Sequence, residues 1–199
     1  MVRRNVHVSV IVAALLMFVV ACSQDHPTAA TSCDQFGVGC TPEELQSQFA
    51  SISDRLAAAH ASGTEETYLD IVNPALVQCQ LKSYRGKARV IGPEGGVVFI
   101  GPHKITIPPG ALRNYLVVYG ELHVANHVVV ELYPHGLQMS APAILELAYG
   151  TCQSGNGFEV AYVDNNLDII SYPDVPPGGT NSGEVRAELW HFSQYAVAY

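Results

Sequence analysis

What most restricts the fold of this 199-residue chain is its punctuation. From Arg89 onward, short apolar runs rich in Val, Ile and Tyr are cut by tight-turn residues. The cuts are Gly92-Pro93-Glu94-Gly95-Gly96, Gly101-Pro102, Pro108-Pro109-Gly110, Asn165-Asn166 and Pro176-Pro177-Gly178-Gly179. Proline lacks the N–H that a strand ladder needs, and glycine adopts positive φ without penalty. Between the cuts lie nine candidate strands, at 97–100, 104–107, 115–124, 128–133, 144–149, 158–163, 167–172, 184–191 and 195–199. Short strands at this spacing predict a β-sandwich over residues 89–199. Gly95-Gly96 is not a phosphate loop, because neither a Lys-Ser/Thr pair nor a helix pattern follows it.

The segment 42–80 reads as helical and is expected to pack on the sandwich. Thr41 is a helix cap, Pro42 suits the first helical position, and Glu44 completes a capping box with Thr41. Leu45, Phe49, Ile52 and Leu56 recur at helical spacing as one apolar stripe. Gly63 ends this helix, and Glu65–Val72 is a candidate second one, stopped by Asn73-Pro74. The fold class expected is therefore mainly β, a sandwich preceded by one or two short α-helices.

The start of the chain has a different character. Arg3 and Arg4 precede a nearly unbroken apolar run from Val8 to Val20. That run is shorter than the ~20 residues needed to cross a bilayer and fits a cleaved export signal over residues 1–21. Val19-Val20-Ala21-Cys22 resembles the lipobox of bacterial lipoproteins. The resemblance implies cleavage before Cys22 and acylation of its thiol and new amino terminus. An unlipidated secreted protein and an uncleaved anchor are the alternatives. Several acyl chains on one residue give stable attachment to a lipid bilayer. The expected location is the cell envelope. Ser23 is not the Asp of an inner-membrane retention signal, which favours the outer membrane where there is one. Residues 22–41, rich in Ser, Thr, Asp, Pro and Gly, read as a flexible spacer.

Cleavage removes two of the 10 basic residues and none of the 18 acidic ones, leaving a net charge of −10. Such a surface disfavours nucleic acid and anionic lipid headgroups as partners. The expected partner is a protein or another envelope component.

Four cysteines remain after Cys22: Cys33, Cys40, Cys79 and Cys152. An even number in an exported chain predicts two disulfides. Four cysteines allow three pairings, and sequence alone does not select one. The pairing we expect is Cys33–Cys40, a local closure, with Cys79–Cys152 tying the pre-sandwich segment to the sandwich. The absence of any Cys-x-x-Cys pair argues against a zinc site.

A set of motifs in fixed order resembles the ZU-five domain of ankyrins, netrin receptors and the death-domain protein PIDD, also found in bacterial envelope proteins. They are Ile91-Gly92-Pro93-Glu94-Gly95-Gly96, Ile105 to Leu112 with Pro108-Pro109-Gly110, Tyr133-Pro134-His135-Gly136-Leu137-Gln138, Ser140-Ala141-Pro142-Ala143, and the closing His191-Phe192-Ser193-Gln194-Tyr195. The resemblance covers Val90 to about Tyr149 best. It implies a β-sandwich used for protein contacts rather than catalysis, so no enzyme activity and no cofactor is expected.

Three further readings concern chemistry. In PIDD and in a self-cleaving nucleoporin, a His-Phe-Ser triplet marks an autoproteolysis site. By that resemblance His191 would take the proton of Ser193 as its hydroxyl attacks the Phe192 carbonyl. The plainer reading is that His191, Phe192, Ser193 and Tyr195 alternate in and out along a C-terminal edge. His123 and His127, near Glu121 and Glu131, would sit ~13 Å apart on one continuous strand, too far to share a metal. Across a hairpin at Val124-Ala125-Asn126 they would face each other at about 5 Å and could bind zinc with a carboxylate, but a solvated turn pair is the plainer reading. Asp164, Asp168 and Asp174 lie among turn residues, which explains them without calcium. The chain lacks Gly-x-Ser-x-Gly and His-Glu-x-x-His, which counts against familiar hydrolase chemistry; a hydrolytic or carbohydrate-binding module with a site of another kind is the remaining alternative. A concave patch in which a Tyr or Trp190 is exposed with polar neighbours is the mark expected of that module, and a Trp190 buried in the core would count against it.

Overall fold

The computed structural model describes residues 33–61, 73–79, 86–122, 126–150, 152, 157–179 and 183–199. Cys22, the apolar run before it and the candidate helix at 65–72 lie outside these residues, as do Gly63 and His123. None of the described helices is long and apolar enough to cross a membrane.

One helix precedes ten strands: α1 (Pro42–Ala61), β1 (Arg89–Ile91), β2 (Gly96–Ile100), β3 (His103–Ile107), β4 (Leu116–Glu121), β5 (Val129–Tyr133), β6 (Gln138–Ala148), β7 (Glu159–Val163), β8 (Ile169–Ser171), β9 (Glu184–His191) and β10 (Gln194–Ala198). They form a six-stranded sheet, β1-β4-β5-β10-β7-β8, and a four-stranded sheet, β2-β3-β6-β9. Every pairing is antiparallel. All nine candidate runs meet strands. Sequence missed β1 and the first half of β6. Pro142 sits within β6, where the β6–β9 register shifts between Gln138 and Ala143. A bulge needs no ladder bond from that residue, so proline fits there.

The four-stranded sheet is buried on one face. In β3, His103, Ile105 and Ile107 point inward while Lys104 and Thr106 point out. Ala143, Leu145 and Leu147 of β6 and Val185, Ala187 and Leu189 of β9 join the same core. Across the outer face, Lys104, Glu146 and Arg186 stand in register. Glu146 forms ion pairs with both cations, at 3.0 Å from Lys104 and 3.8 Å from Arg186. Phe99 and Trp190 lie on this outer face, 58% and 51% exposed.

The six-stranded sheet is covered on both faces. Tyr195 and Val197 of β10 enter the inter-sheet core, while Ala196 and Ala198 face the other way, under Leu76. Leu76 bridges to Ala198 and Gln78 to His127, so residues 73–79 make a turn at 74–75 and then run extended along the sheet rather than helical. Leu45 and Leu56 of α1 pack on Val117, Tyr119 and Ala88, with Phe49 and Ile52 beside them. The expected stripe thus faces the sheet. The capping box forms: Thr41 N–H donates to Glu44 Oε2 at 2.8 Å, and Glu44 N–H to Thr41 Oγ1 at 3.3 Å.

Both disulfides adopt the expected pairing, Cys33–Cys40 and Cys79–Cys152, with Cα separations of 4.4 and 4.8 Å. The first corrects the spacer reading for residues 33–40. Asp34 Oδ1 accepts from the N–H groups of Phe36 and Val38, folding the loop, and Phe36 packs against the main core. An Asx turn plus a short covalent closure orders a segment whose composition reads as flexible.

Candidate functional site

Two of the places where the chain passes from one sheet to the other lie side by side. Residues 134–137 carry it from β5 to β6, and Phe192-Ser193 from β9 to β10. Three backbone hydrogen bonds join these crossovers. Gly136 N–H donates to the Phe192 carbonyl at 2.9 Å, Phe192 N–H to Leu137, and Leu132 N–H to the Ser193 carbonyl. Gly136 has φ +80°, a conformation that glycine adopts freely.

This geometry corrects the reading of a C-terminal edge with alternating side chains. Strand β10 lies between β5 and β7, not at an edge. Phe192, Ser193, Gln194 and Tyr195 are all buried in succession, because the chain turns from one sheet to the other at that point.

Ser193 Oγ lies 3.3 Å from Nε2 of His135. The tautomer with its proton on Nδ1 leaves Nε2 free to accept the serine hydroxyl. His191, the imidazole that the sequence motif points to, is placed differently. Its Nδ1 is 3.3 Å from the Tyr195 hydroxyl, and its ring meets Tyr162 edge-on at 5.1 Å. The Tyr195 hydroxyl donates to the His191 carbonyl at 2.8 Å. Burial raises the Tyr195 hydroxyl pKa above its usual range, with the neighbouring Tyr162 adding to the effect. The crossover therefore assembles a nucleophile, a base within reach and an N–H on the carbonyl oxygen, from segments 58 positions apart.

A second cluster lies between α1 and the outer face of β4–β5. Tyr119 and Tyr133 are cross-strand partners, as are Glu121 and Glu131. Arg55 donates to the Tyr119 hydroxyl at 2.7 Å and lies 4.0 Å from Glu121. Burial raises the pKa of both tyrosines. At Tyr133 the hydrogen bond to Glu131 raises it further, and at Tyr119 Arg55 opposes the shift. A 220 Å³ cavity opens beside the ring pair, lined by Gln48, Ile52, Val117 and Pro134.

The remaining predicted residues are placed as follows. His127 is buried rather than solvated, with Nδ1 3.3 Å from the Val77 carbonyl. Residues 73–79 pair with the sheet at this position and cover it. Asp164 Oδ1 accepts from the N–H groups of Asn166 and Asp168, a turn as expected. The Asp174 carbonyl accepts from Glu188 N–H at the edge of β9. Among the described residues, no group of three His, Cys, Asp or Glu side chains is arranged to hold a metal.

Sequence reasoning singled out Ser193 and missed His135. The one signal pointing to it was its place in the Tyr133–Gln138 motif. No protein-family model and no curated protein sequence matches this chain.

Proposed function

We propose that this chain is an envelope lipoprotein, acylated at Cys22, whose β-sandwich makes non-catalytic contacts with a protein or another envelope component. The observation that carries this reading is the asymmetry of the two sheets. Helix α1 and residues 73–79 cover the outer face of the six-stranded sheet, whereas the four-stranded sheet presents Phe99 and Trp190 half-exposed beside the Lys104–Glu146–Arg186 row. Aromatic residues bordered by ion-paired polar ones are the usual make-up of a contact face. The ZU-five-like motif order supports the same reading, and the lipobox-like Val19–Cys22 supports the anchoring.

The test has two parts. The chain expressed with its own signal is weighed intact, and a mass of acyl-Cys22 through Tyr199 is expected. An unlipidated mass overturns the anchoring. A photo-crosslinker at position 190 in cells is then expected to give a discrete adduct that one at exposed Val175 does not. Equal labelling from both positions overturns the contact face.

The geometry at Ser193 favours a second reading, self-cleavage of the Phe192–Ser193 bond. Ser193 Oγ attacks the Phe192 carbonyl carbon, His135 Nε2 takes the hydroxyl proton, and Gly136 N–H holds the oxyanion. The C–N bond breaks, and the proton passes to the Ser193 amine. Water then hydrolyses the ester to a Phe192 carboxylate and a free Ser193 hydroxyl. The released strand would stay in place, since β10 is held on both sides, by β5 and β7. A mass lacking Ser193–Tyr199, restored by Ser193→Ala and by His135→Ala but not by His191→Ala, is the expected result. An intact C-terminus in the native protein overturns it.

A further inference from the structure

The loop closed by Cys33 and Cys40 stands between two cavities. One, of 290 Å³, has Ala111, Leu112, Leu116 and Leu137 in its lining, with Phe36 and Val38 of the loop. The other, of 510 Å³, includes Leu45, Val90, Pro93 and Tyr115, with Gly37 and Cys40. Arg113 and Asn114 line both. Small-molecule sites are concave, mostly apolar, and carry a few polar groups that fix orientation. These cavities have that make-up, and together they fall in the usual size range of ~300–1,000 Å³.

Arg113 supplies the chemical selectivity. The chain has 10 basic residues against 18 acidic ones, so cations have carboxylates in excess. Lys104 and Arg186 share Glu146, and Arg55 lies beside Glu121. Among the described residues, Arg113 has no ion pair, hydrogen bond or ring contact. The start of α1 also borders the larger cavity, but Glu43 and Glu44 already occupy its first turn. The charge available to a ligand is therefore the guanidinium. A planar guanidinium matches a carboxylate through two parallel N–H donors.

We infer that these cavities form a binding site for an amphipathic carboxylate, its apolar body against Phe36, Leu112 and Leu137 and its charge on Arg113. The same chemistry arrives as a free aliphatic acid or as the C-terminal carboxylate of a peptide with an apolar last residue. The Cys33–Cys40 closure holds the shared wall, so reduction of that bond loosens the site. This inference does not depend on acylation of Cys22 or on a contact face at Trp190.

Titration calorimetry on the full chain tests it with decanoate, decanol, and a Leu-ended pentapeptide as free acid and as amide. Decanoate or the free-acid peptide is expected to bind at least tenfold more tightly than its uncharged counterpart. Whichever acid binds identifies the source. Arg113→Gln is expected to weaken that acid about tenfold and Arg113→Lys to restore most of it. Val38→Trp, which fills the smaller cavity from the loop, is expected to abolish binding without moving Tm. Failure of both acids to bind overturns the inference. So does equal binding of the uncharged forms, or binding unchanged by Arg113→Gln in a variant that melts like the parent.

Discussion

Tyr119 and Tyr133 stand opposite each other on β4 and β5, with rings stacked at 4.7 Å and 7° between planes. Arg55 of α1 lies over the Tyr119 ring, 5.5 Å from its centroid, and donates to its hydroxyl. This is the polar fastening of the helix to the sheet, beside the apolar stripe. The Arg55 side chain is 59% exposed, which keeps the contribution modest. Arg55→Ala is expected to cost about 1–2 kcal/mol, as the cation–π contact and the hydrogen bond are lost together. Tyr119→Phe keeps the ring and is expected to cost about 1 kcal/mol. Urea denaturation in a double-mutant cycle checks the coupling. Fully additive effects would mean that Arg55 does not act through Tyr119.

The Cys79–Cys152 bridge spans 73 positions and Cys33–Cys40 only seven. In the chain-entropy account, a closure of the longer kind stabilises by about 4 kcal/mol and the shorter by about 2. Replacing Cys79 and Cys152 by serine is therefore expected to lower the unfolding free energy roughly twice as much as replacing Cys33 and Cys40. Removal of the long bridge also frees residues 73–79, which cover the outer face of β10. Denaturant midpoints of the two double variants decide the order. A larger loss from the Cys33–Cys40 pair would show that local strain or packing outweighs chain entropy.

Legibility followed the range of the physics involved. The α1 stripe and capping box are local, within a few residues, and both formed as read. The strands are also local in pattern, which is why their positions were legible while β1, three residues long, was not. The sheet order was not legible, since β10 returns to the middle of the six-stranded sheet through a crossover. For the same reason the partner of Ser193 was hidden. His191 is adjacent in sequence, but the crossover turns it towards Tyr195 and brings in His135 from 58 positions away. Phe36 shows the converse error, an aromatic residue in a polar stretch that the Cys33–Cys40 loop delivers to the core.

The turn ahead of β2 contains a glycine that only glycine can fill. Gly95 has φ +76°, and a Cβ there would lie 2.3 Å from the Ile107 carbonyl oxygen. That carbonyl is fixed by the pairing of Gly96 with Ile107. Gly110 has a similar φ of +80°, but a Cβ there meets nothing within 4 Å. The pair separates backbone strain from collision. Gly110→Ala is expected to cost about 1–2 kcal/mol from the left-handed conformation alone. Gly95→Ala adds a backbone clash and is expected to cost ~3 kcal/mol or more. Thermal melts of both variants test this, and equal losses would show that the β2 turn shifts to accommodate the methyl group.

His103 makes the sandwich sensitive to acid. Its side chain is fully buried at the start of β3, where Nδ1 accepts from Ala148 N–H at 3.0 Å. The ring proton is therefore on Nε2, which has no hydrogen-bond partner among the described residues. Burial disfavours the charged form and lowers the pKa from 6.5 to about 4. Above pH 6.5 the ring is neutral whether the chain is folded or not, and stability does not respond to it. As pH falls below 6.5, the unfolded chain binds a proton that the folded chain refuses, so stability is lost until about pH 4. The slope is about 1.4 kcal/mol per pH unit and the total roughly 3 kcal/mol. His103→Gln retains an acceptor for Ala148 and does not titrate. Urea midpoints measured from pH 7.5 to 4.5 are expected to fall steeply for the native protein and less for the variant. Parallel curves would mean that carboxylates, not His103, set the acid response.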